Sequence, residues 1–416
     1  MIAERALPVR LTGAILILAS SLLAGAFWGQ PFAMENAGPV FAHSFLARLT
    51  VVVAFLGLLA LVAPKQLGWS SSMFTWVFLA LYGLGFAVAS LTPGSSWEAS
   101  TVLACLSLGM LFSVVAPSIN SALVALLCLS VLQAGAAIVL YVLGRGSMLS
   151  GQVWRAGGTF ANPVDLYVVC AIGLPISLWF ALRERRAFQH LVLAVGCALI
   201  ASALLLTWYR AAALVVGASS IGLCLKAPEF RKLVPMAVVA SLVVMGVTLK
   251  TRTGGEVGAG AANRSASSHY GSWASGLRIF ADHPVFGIGA GRYSAPTKVV
   301  QGNWVADAST SEPKNLPLLW AAEFGIPGIA LFMMLIGSIG QVYRSSPPSA
   351  APIFAAWCGL IAAGVFETPL GNSDRPVGTV LFGVLICLSV KQLNASNSEA
   401  QPFARIEGGD LCVEST

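Results

Sequence analysis

Blocks of about 20 apolar residues recur along the chain, and they constrain its fold more than any other feature. Of the 416 residues, 57% are hydrophobic and only 10% are charged, whereas a soluble domain carries roughly 25% charged residues. A helix that crosses a bilayer needs about 20 apolar residues and makes all its backbone hydrogen bonds within itself. The sequence therefore predicts an all-α, polytopic integral membrane bundle.

About twelve segments satisfy this length rule. They cover residues 11–29, 46–63, 72–91, 98–116, 121–143, 165–182, 189–208, 211–225, 233–250, 316–341, 350–368 and 377–390. The predicted organisation follows from their spacing: nine spans within 1–250, one large polar loop at 251–314, three spans within 315–391, and a tail at 392–416 that we expect to be disordered.

Lysine and arginine in the short connections predict the orientation of the spans. Most of them fall on one side, which is then cytoplasmic and holds both termini. We attribute the net charge of +7 to this bias rather than to nucleic-acid binding. The 251–314 loop faces the other side, the periplasm of a Gram-negative cell. That side nevertheless keeps Arg145, Arg155, Arg210 and Arg375 in short connections. Positive charge retained there at membrane depth indicates an anionic ligand.

Two of these arginines lie in short polar motifs that each allow two interpretations. Arg210 follows a Trp–Tyr pair, so it could be an interfacial arginine that snorkels to water, or a guanidinium that grips a diphosphate. Arg155 opens the segment RAGGTFANP, in which Thr159 and Asn162 are the polar side chains. That segment is typical of an ordinary turn with a helix cap, or of a cradle for phosphate and sugar hydroxyls.

The large loop has three parts. Residues 254–268 are rich in Gly, Ala and Ser and are predicted to be mobile. Residues 270–282 have the apolar spacing of an amphipathic helix at the membrane interface. The repeated glycines Gly287, Gly289 and Gly291 then predict a tight turn. As a phosphate-binding loop this pattern is weak, because no strand precedes it, and we interpret it as a flexible turn that lets the helix pack over the bundle.

Titratable side chains in and near the loop are candidates for proton transfer. A lone histidine beside a proline, such as His283, is more often a turn residue than a base; His269, Asp282 and Glu312 are the other candidates in the loop. Glu323 lies inside a predicted span and therefore needs a partner, either an arginine of the loop or the segment at Lys314. No Cys/His cluster occurs in the sequence, so we predict no metal site, no disulfide framework and no cofactor.

Taken together, four segments resemble the O-antigen ligase and polysaccharide polymerase superfamily of bacterial envelopes. They are 155–163, 210–214, 280–291 and 314–328. The resemblance implies a metal-independent, inverting glycosyl transfer at the periplasmic face of the inner membrane. The donor would be a glycan on polyprenyl diphosphate, and the acceptor a glycan or lipid A-core, with membrane lipids and a chain-length regulator or flippase as further partners. On this basis we predict catalytic roles for Arg210, Lys314, His283 and Glu312, and substrate contacts for Arg155, Thr159, Asn162, Arg278, Arg292, Asn315 and Glu323.

One departure from the superfamily bears on the reaction. Lys314 stands where relatives carry a histidine that is thought to act on the acceptor hydroxyl in the ligases. A free lysine has a pKa of about 10.4 and is a cation at neutral pH, so we assign Lys314 to phosphate binding. This favours polymerisation of repeat units over ligation to lipid A-core. Ligase and protein O-oligosaccharyltransferase remain alternatives within enzymes. A transporter, for which internal repeats are missing, and a non-catalytic assembly protein are the alternatives outside them.

Overall fold

The structure is a computed structural model that describes residues 118–145, 147–149, 153–160, 163–209, 211–232, 258–289, 313–366 and 376–407, with a few single residues between these ranges. The predicted spans before residue 117 and the one at 233–250 lie almost wholly outside the described residues. The described elements are numbered here in chain order.

Nine α-helices and one short hairpin make up the described part of the chain. Their bounds are α1 Ile119–Val142, β1 Ser147–Leu149, β2 Val153–Arg155, α2 Pro163–Arg183, α3 Ala187–Leu206, α4 Ala211–Lys226, α5 Gly258–Asp282, α6 Leu316–Phe324, α7 Ile326–Ser345, α8 Ala351–Phe366 and α9 Pro376–Glu407. One 3-10 turn, Pro228–Phe230, follows α4, and a second, Pro348–Ala350, precedes α8.

Six helical segments of the described chain are long and apolar enough to cross a membrane, and α4 is a shorter apolar helix. This confirms the predicted helical membrane bundle, while the total of twelve spans stays a prediction. The segment predicted as one span at 316–341 is two helices, α6 and α7. The break is at Gly325, whose positive φ of 67° is readily adopted by glycine and disfavoured for other residues.

Three local structures differ from the sequence-based expectation. The connection at 144–164 contains the hairpin β1–β2, with Ser147 paired to Arg155. Helix α5 begins at Gly258, in the segment expected to be mobile, where Ala259, Ala261 and Ala262 favour helix. Helix α9 runs to Glu407, so the segment after Lys391 is helical that far rather than disordered. The preceding span already forms the helix, so its extension needs no new nucleation step.

Helix α2 occupies the centre of the described bundle. Nearly all its side chains are buried, and it packs against α1, α3, α4 and α8. Helix α3 lies at the outside, with Phe188, Leu191, Val192 and Val195 exposed, as expected of side chains that face lipid. Helices α4 and α8 approach closely because both carry small residues; a Cβ added at Gly222 would lie 3.0 Å from the Cα of Ala355, and such contacts are typical of membrane helices.

An exposed ion pair joins two connections on the side predicted to be cytoplasmic. Arg183 Nη2 donates to Glu229 Oε1 at 2.9 Å, and its guanidinium lies 3.8 Å from the ring centroid of Trp179. The pKa of Glu229 is lowered, first by a hydrogen bond from its own backbone and then by Arg183. Both side chains are about half exposed, so solvent screens the pair and it stabilises the fold little.

Candidate active site

The hairpin β1–β2 brings Arg155 to the end of α3. The register pairs Arg155 with Ser147, and the next backbone N–H, that of Ala156, donates to the carbonyl oxygen of Leu206 at 2.9 Å. This bond fixes the end of β2 against the last turn of α3. As a result the side chain of Arg155 is turned into the protein and is only 8% exposed.

The guanidinium of Arg155 lies over an aromatic ring. Its central carbon lies 4.4 Å from the ring centroid of Tyr209, and that ring packs against the tilted ring of Tyr167 with the centroids 5.4 Å apart. Such a cation–π contact can stabilise a desolvated arginine by about 2 kcal/mol. Tyr209 directly precedes Arg210 in the sequence, so the contact joins the two arginine motifs that the sequence singled out.

Two buried N–H donors at this corner have no acceptor in the described part of the chain. They are Nε of Arg155 and Nε1 of Trp208. Buried donors are nearly always satisfied, because an unsatisfied one costs free energy. Trp208 also has a φ of 55°, a left-handed conformation that costs a non-glycine residue about 1 kcal/mol. A strained corner with unsatisfied donors and a buried cation has the chemistry of an anion site.

The turn after Arg155 is fixed by an amide side chain of α1. Gln133 Oε1 accepts from the backbone N of Thr159 at 3.3 Å and from its Oγ1 at 3.0 Å. Gly158 adopts a φ of 64°, and the N of Phe160 donates to the carbonyl of Gly157 at 3.2 Å. The described turn therefore ties Thr159 to α1 through both of its donors, while the residue itself stays exposed. Asn162 and Arg210 lie outside the described residues.

Lys314 and Asn315 form the start of helix α6. Asn315 is the N-cap: its Oδ1 accepts from the N of Leu318 at 3.0 Å, and its Nδ2 donates to the carbonyl of Val365 at 2.9 Å. The amide of Asn315 thus ties α6 to the end of α8. Lys314 is half-buried and has a φ of 49°. Trp208 and Lys314 are the two non-glycine residues of the described chain with a positive φ. Trp208 lies next to the Arg210 motif, and Lys314 begins the motif at 314–328.

The glycine turn is locked against the break between α6 and α7. The N–H groups of Ile288 and Gly289 donate to the carbonyls of Ala322 and Glu323 at 3.0 and 2.8 Å, and the N–H of Ile326 donates to the carbonyl of Pro284 at 2.8 Å. The expected flexible turn is therefore a fixed one over the described residues. Its N–H groups at 287–289 are used within the protein, which leaves them unavailable to a phosphate.

Two glycines make this approach possible. Gly287 has a φ of 65° and Gly325 a φ of 67°. A Cβ at Gly287 would overlap the backbone of Glu323, and one at Gly325 would lie 2.5 Å from the carbonyl oxygen of Pro284. The repeated glycines at 287–291 were visible in the sequence. Their spacing alone could not show that Gly287 lies against the backbone next to Gly325, which is far away along the chain.

The remaining candidates have different environments. Glu323 is buried, 3% exposed, in the last turn of α6. Arg278 and His283 are exposed near the end of α5, and the N of His283 continues the helix by donating to the carbonyl of Ile279 at 3.0 Å. Arg292 and Glu312 lie outside the described residues. Helix α8 contacts α6 and also α2 and α4, the helices that contain Tyr167 and that follow Tyr209.

Sequence reasoning missed Tyr209, Tyr167 and Gln133. A signal was present for each, because a polar side chain inside an apolar span is unusual and marks functional positions. Gln133 is an amide within the run 121–143, and Tyr209 adjoins Arg210. Their partners were not predictable, since the contacts with Arg155 and Thr159 connect segments that are far apart in sequence.

Residues 193–333 match a family model described as O-antigen ligase. The match confirms the predicted resemblance to the O-antigen ligase and polymerase superfamily, and it contains three of the four segments on which the resemblance was based. It supports glycosyl transfer of the ligase or polymerase type, with a lipid-linked glycan as donor and an acceptor substrate. No curated protein matches the chain.

Proposed function

We propose that this protein polymerises polysaccharide repeat units at the periplasmic face of the inner membrane. It would transfer a glycan from polyprenyl diphosphate to a hydroxyl of a second glycan. The buried guanidinium of Arg155, stacked on Tyr209 beside the Arg210 motif, is the observation that carries the proposal. A fixed cation in a water-poor site stabilises the negative charge that a departing diphosphate develops.

The reaction forms one bond and breaks one. The acceptor oxygen attacks the anomeric carbon of the donor, and the bond from that carbon to the diphosphate oxygen breaks on the opposite face, so the configuration inverts. The electron pair leaves with the polyprenyl diphosphate, and the acceptor proton passes to a base. Arg155 and Arg210 hold the diphosphate, which makes the leaving group good without a metal ion or a general acid.

The Lys314 segment supplies a positive charge at a fixed position. Asn315 caps α6 and bonds to α8, so the backbone of Lys314 is fixed and its cation is held at the start of α6. We assign Lys314 to the phosphates. His283, Glu312 and His269 are the candidates for the base, and Arg278, Arg292, Thr159, Asn162 and Glu323 for contacts with the sugars or for support of the site.

Ligation of a finished glycan to lipid A-core is the second candidate, because the matching family model is described as O-antigen ligase. Deletion of the gene and sizing of the cell's polysaccharide separates the two. Loss of long chains with single repeats retained indicates a polymerase. Full-length chains that stay on the lipid carrier indicate a ligase, and an unaltered size profile would refute both.

The orientation is tested separately with reporters that work only in the periplasm. A fusion after Thr253, at the start of the large loop, should be active, and a fusion after Lys391 should be silent. The reverse result would place the loop in the cytoplasm and remove the proposed site from the periplasmic donor.

A further inference from the structure

Two large apolar side chains are exposed at the tip of the turn that follows α5. Val285 is 56% exposed and Phe286 is 75% exposed. An exposed phenylalanine is costly in water, and contiguous exposed apolar surface marks contact with a partner or a membrane.

The backbone of the tip is held rigidly, so the outward direction of these side chains is a fixed feature of the fold. The carbonyl of Pro284 accepts from the N of Ile326, and the N of Gly287 donates to the carbonyl of His283 at 3.0 Å. The tip is therefore attached to the first residue of α7 on one side and to the end of α5 on the other.

The same tip continues an apolar stripe along α7. Ile326, Ile329 and Met333 are 58%, 40% and 62% exposed, and their spacing of three and four residues puts them on one helix face. Helix α7 is long and apolar enough to span a membrane, so we expect this exposed face to contact lipid chains. Because Pro284 bonds to Ile326, Val285 and Phe286 lie where the stripe ends.

Polar residues begin directly on the other side of the tip. Arg278, Asp282 and His283 are all exposed at the end of α5. The exposed side chains thus change from charged to apolar within four residues, and the apolar ones adjoin the exposed stripe of α7. Such a change is expected where a protein surface crosses from water into the acyl chains.

We propose that Val285 and Phe286 insert into the acyl-chain region of the bilayer leaflet at the α5 side, and anchor the end of α5 to the membrane. The partner is the lipid bilayer itself, because the pair is continuous with the lipid-facing stripe of α7. The anchor sets the depth of the glycine turn in the bilayer. Because this turn is hydrogen-bonded to α6, the anchor also sets the depth of the break at Gly325. The inference does not depend on the reaction proposed above.

Spin labels test the depth directly. A label is placed on Phe286→Cys, and as the matched control on Asp282→Cys, four residues earlier at the end of α5. The native cysteines are replaced, and the full-length protein is reconstituted in phospholipid vesicles. Collisions with oxygen, which concentrates in the acyl chains, are compared with collisions with a water-soluble nickel chelate. We expect oxygen to dominate at 286 and the nickel chelate to dominate at 282. Nickel access at 286 equal to that at 282 would overturn the proposal.

Two further measurements exclude other occupants. Adding polyprenyl diphosphate should leave the oxygen-to-nickel ratio at 286 unchanged; a ratio that becomes lipid-like only after this addition would assign the surface to the donor chain instead. Distances between spin labels at position 286 on two protein molecules should include no short distances. A population of short distances would mean that the tip is a contact between two copies of the protein. Labelled Val285→Cys repeats the test without changing Phe286, and a water-exposed label there would also contradict the insertion.

Discussion

The ring of Tyr209 lies beneath the guanidinium of Arg155, with 4.4 Å between the ring centroid and the central carbon. The two residues are brought together by the bond from Ala156 to Leu206, which sets the hairpin against the end of α3. The contact joins two motifs that are separate in the sequence. On the proposed function, Arg155 is positioned for the diphosphate before the donor binds, and this leads to the first two predictions.

Arg155→Ala should lower glycosyl transfer roughly 100-fold, the scale of losing one fixed stabiliser of transition-state charge. Arg155→Lys should also be poor, because an ammonium cannot both stack on the ring and fork to an anion. Arg183→Ala is the matched control: Arg183 also stacks on an aromatic ring, that of Trp179, but it is exposed and paired with Glu229. Turnover of a purified lipid-linked donor, measured without added divalent metal, compares them. Equal losses in both alanine variants would contradict the assignment.

Tyr209→Phe should keep most activity, and Tyr209→Leu should lose about ten-fold, because the ring face rather than the hydroxyl holds Arg155. The loss should be absent in an Arg155→Ala background, since the ring then has no cation to hold. Tyr141→Leu serves as the control for removing a partly buried ring in the same bundle. A Tyr209→Phe variant as inactive as Tyr209→Leu would shift the role to the hydroxyl.

Arg210→Ala should abolish product at unchanged protein level, and Arg210→Lys should recover little, because a point charge does not replace a bidentate fork. If Arg155 and Arg210 hold the same diphosphate, the Arg155→Ala/Arg210→Lys variant should lose less than the product of the losses in Arg155→Ala and Arg210→Lys. The measurement is the rate of donor consumption by the wild type, the two single variants and the double variant, which together form a double-mutant cycle. Independent, multiplicative losses would mean that the arginines serve different ligands.

Lys314→Arg should retain substantial activity and Lys314→Gln should lose most of it, if the role is electrostatic. The left-handed backbone at this position, with a φ of 49°, provides a control. Lys314→Asn suits that backbone better yet removes the charge, so it should be as inactive as Lys314→Gln while unfolding at a slightly higher temperature. An inactive Lys314→Arg together with an active Lys314→His would instead assign this position to proton transfer and favour the ligase.

Gly287→Ala and Gly325→Ala should each destabilise the junction of α5, α6 and α7. Each forces a Cβ into the opposing backbone and places alanine at a positive φ, which costs about 1 kcal/mol or more before any overlap. Thermal unfolding in detergent should show a lower midpoint for both. Gly271→Ala is the control, since a Cβ there meets nothing within 4 Å and alanine favours a helix interior. Midpoints unchanged at 287 and 325 would mean that the junction is not tight.

The sequence by itself determined the class of fold, because membrane helices satisfy their backbone locally and a run of about 20 apolar residues is sufficient to specify one. Helices α1, α2 and α3 therefore follow their predicted bounds within two residues. The sequence also identified Arg155, Lys314 and the glycine turn as exceptional, because charge and glycine repeats stand out against an apolar background.

Only the tertiary structure decided what these residues contact. The Arg155–Tyr209 stack, the bond from Asn315 to Val365 and the opposed pair Gly287 and Gly325 all join segments that are distant along the chain, and no local pattern records such a pairing. The break at Gly325 has the same origin: a glycine within an apolar run permits a left-handed residue, but the break is selected by the backbone of 284–289 packing against it.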